Sequence, residues 1–332
     1  MNVIYREVDG DLNVLAGKLV GMIGYGNLGR PVALNLRDSG TSIIVGMRAE
    51  DSDSGSTAMD DGFPTMPIEN VVKHADILLM LLPDEVMPQV YLEKVSPYLE
   101  RGDTLIFGSG YNIAFGYIEA PPFVDVGLVA PRTFGAAVRE RYLSGQGFYS
   151  FVAVGQDASG RTWNTVMAVA KAMGSLRAGA IEVSIEQEAE LDLFIQQAIL
   201  PIFHHMVITA ARLLNRMGYP PEAALTDLYL SGEFTDYLRR AEQSGLLHAL
   251  QETSPTGQYG TLSRLDRFNE LKLERLMEIT LEDIRNGDFA KEWAKEFTNG
   301  YPRLQKLRKA QEELDVWDLE QQTLDLLKRS SL

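Results

Sequence analysis

"KLVGMIGYGNLGRPVALNL", residues 18–36, holds the turn that decides the fold. A short apolar run from Leu19 to Ile23 stops at a glycine. Gly24, Gly26 and Gly29 then follow at the spacing G-x-G-x-x-G, and apolar residues resume at helical intervals with Val32 and Leu36. A strand, a glycine turn and a helix form the setting this motif needs to hold a dinucleotide. Gly24 permits the tight turn, Gly26 lets backbone approach a pyrophosphate, and Gly29 lets helix and strand pack closely. The helix then offers free N–H groups and the positive end of its dipole to the anion. Tyr25, Asn27 and Leu28 complete the loop as cofactor-contacting candidates. The bland alternative is a tight turn that binds nothing.

Outward from this turn, strand and helix signals alternate. Apolar runs at 41–48, 76–84, 103–110, 125–132 and 149–157 are separated by helix-patterned segments. Continuous apolar strands between helices predict a parallel sheet covered on both faces. Beyond about residue 183 the strand signal stops, and helix-period stretches cover 185–219, 220–250 and 264–297. The expected architecture is an α/β Rossmann domain over 1–183 and an all-α domain over 184–332.

Composition excludes several function classes. Of 332 residues, 46 are acidic and 31 basic, a formal net charge of −15. Nucleic acid is not an expected partner, since phosphate backbones are bound by clustered Lys and Arg. There is no Cys, so thiolate chemistry, disulfides and Cys metal sites are out, as fits a reducing compartment. No apolar run is read as approaching the roughly 20 residues of a membrane span, and the N-terminus is mixed and acidic. A cytoplasmic location without membrane contact is expected.

The cofactor type stays open. Arg48 ends the second strand and can pair with a 2′-phosphate, with Ser52 and Ser54 as donors, which favours NADP. Glu50, Asp51 and Asp53 would repel that phosphate, and one of them can accept from a free 2′-hydroxyl, which favours NAD. Leu82 and Pro83, at the end of the third strand, are expected to wall the nicotinamide side, with Gly110 after the fourth. Asp84 is read as part of that loop without a chemical role. Glu186, Glu188 and Glu190 read as a solvated helix face, with Glu188 a spare carboxylate four residues before Asp192. His204 and His205 read as packing or interface histidines.

Several motifs in order, "GYGNLGRPVALNLRDSG", "LMLLPDE", "GSGYNI", "VAPRTFG", "QDASG", "RAGAIEVSIEQEAELDLFIQQAIL" and "GYPPEAAL", resemble the short class of ketol-acid reductoisomerases, as does the late "GDFAKEWAKEFTNGYPRLQKLRK". The resemblance covers nearly the whole chain. It implies a Rossmann domain, a knotted helical C-terminal domain, and a homodimer or assembly of dimers whose active sites are shared. It also implies an alkyl shift in an acetohydroxy acid assisted by two Mg²⁺ ions, followed by reduction with NADPH.

The site departs from that family's pattern. In the family's "DLFGEQ" an Asp and a Glu bind metal; here Asp192 remains and Gln196 stands at the Glu position. The family's second pair of Glu ligands falls on Asp227 and Ser231. The His of "HGFNI" is Ser109 and the catalytic Lys of "APK" is Arg132, while a substrate-contacting Ser is kept as Ser254. Hard dications need anionic oxygen, so Mg²⁺ is doubtful, with Asp192 and Asp227 its only carboxylates. Arg stays protonated and does not shuttle protons as Lys can. The sequence therefore predicts an NAD(P)-dependent oxidoreductase that reduces a small carboxylate-bearing keto or imine substrate, the isomerase step being lost. Arg132 is expected to grip the substrate carboxylate or polarise the reacting oxygen. Asp192 is expected to supply or orient the acid, and Gln196, Ser109 and Ser254 to orient the substrate. A divergent true ketol-acid reductoisomerase and a non-catalytic NAD(P)-binding paralogue are the alternatives.

Overall fold

The computed structural model describes residues 4–47 and 52–329. The chain forms two compact units, Met1–Asp192 and Leu193–Leu332. The sequence-based boundary at 183/184 falls just before the helix Ile185–Phe194. The observed boundary lies further along that helix, since Ile185 and Ala189 are buried and Ile185 belongs to the core under the sheet.

The first unit is built on nine strands: β1 (Ile4–Tyr5), β2 (Leu19–Ile23), β3 (Ser42–Met47), β4 (Thr65–Pro67), β5 (Ile77–Met80), β6 (Thr104–Phe107), β7 (Asp125–Pro131), β8 (Tyr149–Gln156) and β9 (Gly179–Glu182). Their order in the sheet is β1-β9-β8-β7-β6-β5-β2-β3-β4. The run from β4 to β7 is parallel. The sheet as a whole is mixed, which corrects the expectation of a parallel one: β8 runs antiparallel to β7, and β1 antiparallel to β9. An apolar run carries no direction of its own. Here the Arg132 N–H donates to the Tyr149 carbonyl at 2.8 Å and fixes the antiparallel pair at its end.

Two apolar layers cover the sheet. One packs Val20, Met22, Val32 and Leu36 with the helix Thr162–Met173; the other packs Leu78, Met80, Leu105, Phe107 and Leu128 with Ile68, Val71 and Ile185. Strands β5 and β6 are buried along their whole length, as a sheet covered on both faces requires. From β2 the chain leaves toward β3 on one side and returns to β5 on the other. This reversal is the topological switch point where open α/β sheets bind ligands.

The second unit is helical. Its described core is small: Ile208, Ala211, Leu225 and Val316, with Leu228, Trp317 and Leu319 packed around them. Two of its turns are π-helical, Ile195–Ile199 and Thr226–Leu230, each closed by a bond from an N–H to the carbonyl five residues back. The helical run Ile185–Arg216 reaches a mean hydropathy of 1.4 over 18 residues, so by length and composition it is apolar enough to cross a membrane. This corrects the reading that no such run exists. Residues 193–211 contain no Asp, Glu, Lys or Arg. Leu191, Ile195, Ile199, Phe203 and Met206 on this run are exposed in the single chain.

Candidate active site

A cleft of about 480 Å³ opens at the switch point, lined by Gly24–Leu28, by Gly46 and Met47 from the end of β3, by Met80–Asp84, and by Gly108 and Ser109 after β6. The glycines that frame it differ in what they permit. Gly24 has φ +108°, and a Cβ there would lie 2.6 Å from the Leu81 carbonyl oxygen. A Cβ on Gly29 would lie 2.0 Å from the Gly24 carbonyl oxygen, so helix and strand meet only because it is absent. At Gly26 no atom comes within 4 Å of the Cβ position. The backbone there faces open space, as close approach of a pyrophosphate requires. Gly135, which opens the helix after Arg132, sits so close that a Cβ would fall 1.8 Å from the Asn27 carbonyl oxygen.

The candidate cofactor residues divide accordingly. Gly24, Tyr25, Gly26, Asn27, Leu28, Leu82 and Pro83 line the cleft, and Gly29 supports it from behind. The Tyr25 hydroxyl is committed elsewhere: it donates to Asp61 at 2.8 Å, beside the two-pronged Arg30–Asp61 pair. Gly110 is committed too, its N–H donating to Glu188 at 2.6 Å. Arg48 lies outside the described residues. Ser52 opens the helix Ser52–Asp60, which also contains Ser54.

Beside the cleft, three charged side chains form a clamp. Arg132 donates through Nη1 to Glu188 Oε1 at 2.9 Å and through Nη2 to Asp192 Oδ1 at 2.5 Å. Its guanidinium lies 4.9 Å from the Phe151 ring centroid. Helical spacing puts Glu188 and Asp192 on one face, and the planar fork of Arg reaches both, as a single ammonium does not. The sequence expects this fork to grip the substrate carboxylate; here both prongs hold the protein's own carboxylates. Glu188 is also corrected from solvated face to site residue, since it is only 1% exposed. Burial pushes its carboxyl up to about 7, against the pull of the Gly110 N–H and the Arg132 charge. The signal that marks it in the sequence is its offset of four from Asp192.

Asp84 is the second carboxyl that the sequence left without a role. It lines the cleft with Ser109. Burial, then the charges of Glu85 and Asp192, push it up to about 6. The backbone there is fixed by Asn112, whose Nδ2 donates to the Asp84 carbonyl at 3.1 Å.

In the second unit, Gln196 lies on the first π turn and Asp227 on the second, and both are exposed within that unit. π turns often mark functional positions. Ser231 follows Asp227 by four residues and accepts the Glu233 N–H at 3.3 Å. Ser254 caps the helix Pro255–Leu262, accepting the Gly257 N–H at 3.1 Å. Asp192 accepts from the Arg132 guanidinium, and Gln196 and Ser231 carry no charge.

A glycine-rich turn that lines a cleft at a Rossmann switch point defines a dinucleotide-binding protein. Residues 14–179 match the family model for the acetohydroxy acid isomeroreductase NADPH-binding domain, and residues 185–329 that for the ketol-acid reductoisomerase C-terminal domain. The chain is 41% identical, over 94% of its length and 95% of the relative's, to a ketol-acid reductoisomerase (NADP⁺) of Methanothermobacter thermautotrophicus. It is 39% identical, over 96% of each chain, to that of Methanopyrus kandleri. The structure of an NADH-preferring ketol-acid reductoisomerase from an uncultured archaeon superposes with TM-score 0.91 at 32% identity, covering 97% of this chain and 98% of the other. The chain belongs to the ketol-acid reductoisomerase family.

Proposed function

We propose that this chain is an NAD(P)H-dependent reductase of a small carboxylate-bearing keto or imine substrate, in which the metal-dependent alkyl shift has been lost. The carrying observation is the Arg132 clamp. A guanidinium fixed between Glu188 and Asp192 puts a permanent positive charge where that shift would need metal-bound carboxylate and a proton-active amine. Hydride delivery needs neither. It needs a bound dinucleotide, a carbon held over the nicotinamide, and a proton for the oxygen or nitrogen. Asp192 offers a carboxylate that would stabilise an iminium nitrogen, and Ser109 would orient the substrate by a hydrogen bond.

The cofactor is NADP or NAD. The matched domain model is NADPH-binding, whereas one relative of known structure prefers NADH. The apolar face at Leu191, Ile195, Ile199, Phe203 and Met206 supports a homodimer, or an assembly of dimers with shared sites, better than membrane insertion. The net charge of −15 supports a chain without nucleic-acid partners, and the absence of Cys is compatible with a cytoplasmic location.

A divergent true ketol-acid reductoisomerase is the second reading, favoured by the 41% identity to a protein of that name. Purified protein offered 2-acetolactate, NADPH and Mg²⁺, and separately a panel of 2-keto acids and cyclic imino acids without metal, distinguishes the two. Oxidation of NAD(P)H on the metal-free panel is expected. Mg²⁺-dependent turnover of 2-acetolactate at ordinary enzyme rates refutes the loss of the isomerase step. A non-catalytic paralogue would bind the cofactor tightly and turn over nothing.

A further inference from the structure

We infer that the second unit holds a small-molecule site of its own, a cavity among three helices that takes an α-amino acid with a short aliphatic side chain. The cavity, about 210 Å³, is bounded by the helices Leu200–Arg216, Pro221–Leu225 and Asp315–Arg329. Every residue lining it belongs to the second unit, and it shares none with the cofactor cleft. The site therefore stands or falls apart from the reductase reading. Drug-sized ligands occupy pockets of about 300–1,000 Å³, so this one suits a molecule of few heavy atoms.

The floor of the cavity is apolar. Ala211, Leu225 and Val316 are each at most 5% exposed and belong to the core of the unit. Arg212 and Arg216 line the cavity from one helix, and four residues apart they share a face. Asp315 lines it from the start of another. Each charge suits the helix end it occupies, the arginines near a C-terminus and the aspartate at an N-terminus. That explains each charge alone and leaves their separation unexplained.

Carboxylates are plentiful in this chain, 46 acidic residues against 31 basic. Yet among the described residues no ion pair or side-chain hydrogen bond engages Arg212, Arg216 or Asp315. Guanidinium and carboxylate border one cavity without meeting, which leaves room for a ligand that carries both charges. An α-amino acid does. Its carboxylate matches the planar forks of the two arginines, and its ammonium matches Asp315. A short aliphatic side chain would cover the apolar floor, where removal from water is favourable.

Calorimetric titration of the full-length protein with L-norvaline, pentanoate and butylamine tests this. The last two keep the same carbon chain with one charge each. L-Norvaline should bind saturably, and each analogue at least about tenfold more weakly, the loss expected when a charged hydrogen bond is missing. Arg212→Gln combined with Arg216→Gln should abolish binding of L-norvaline and pentanoate alike. Asp315→Asn should weaken L-norvaline to the level of pentanoate. Both variants should keep the wild-type melting temperature and NAD(P)H affinity, since these side chains hold no partner among the described residues. A cavity filled by a second subunit would bind none of the three probes, and that result overturns the proposal. So does L-norvaline binding that the double arginine variant leaves unchanged, or pentanoate that binds as tightly as L-norvaline. Failure of the reductase reading would show in the turnover panel and leave these titrations as they are.

Discussion

Replacing Arg132 by Gln should destabilise the protein in a way that depends on pH, and the sign follows from Glu188. Its carboxyl is buried, and its folded-state value of about 7 lies above the ordinary 4.5. An acid raised on folding holds its proton longer in the folded chain, so stability falls as pH rises from about 4.5 to about 7. Across that window wild type gives up about 3 kcal/mol. Removing the guanidinium takes away one of the two influences that favour the carboxylate. The folded-state value then climbs further, and the losing window extends upward. Near pH 5 Glu188 is neutral in both proteins, and the variant should lose only hydrogen bonds, about 1–2 kcal/mol. Near pH 8.5 the variant must bury an unpaired anion or hold its proton against solvent, and the deficit should reach about 3–5 kcal/mol. Urea unfolding of both proteins at the two pH values measures this directly. Adding Glu188→Gln should return most of the alkaline deficit. A deficit that is the same at both pH values, or one that Glu188→Gln deepens at pH 8.5, refutes the account of the clamp.

Gly26→Ala and Gly29→Ala should behave differently: the first should keep the wild-type melting temperature and weaken NAD(P)H binding in a fluorescence titration, because its Cβ meets only open space. The second should lose both stability and binding, since its Cβ would strike backbone; equal melting temperatures would contradict the assignment. Ile199→Asp, on the exposed apolar face, should shift the sedimentation coefficient toward the monomer while leaving the first unit's cofactor binding intact.

The sequence carried the first unit further than the second. Leu19–Ile23 followed by three spaced glycines specifies strand, turn and helix locally, so the cleft was legible from 19 residues. The direction of β8 was not legible, because apolar content is the same for either direction and a pairing across the sheet decides it. The short strands β1, β4 and β9 have no pattern of their own, and their neighbours supply the missing partners. At the site, Arg132 and Asp192 stood out by departing from, or keeping to, a family pattern. Glu188 and Asp84 did not, since an acidic residue in an acidic stretch reads as solvated until packing shows what lies over it. The Arg132 fork was read as free for a ligand for the same reason: its partners are 56 and 60 residues away.

The contact between Gly135 and the Asn27 carbonyl has a consequence for protein engineering. Only Thr133 and Phe134 separate Arg132 from that contact, so the glycine-rich turn rests on the segment that anchors the clamp. A cofactor loop transplanted from a relative cannot be treated as a detachable cassette here. Its underside has to match a helix start that tolerates no side chain, and a graft that ignores Gly135 would disturb the clamp before it changed cofactor preference.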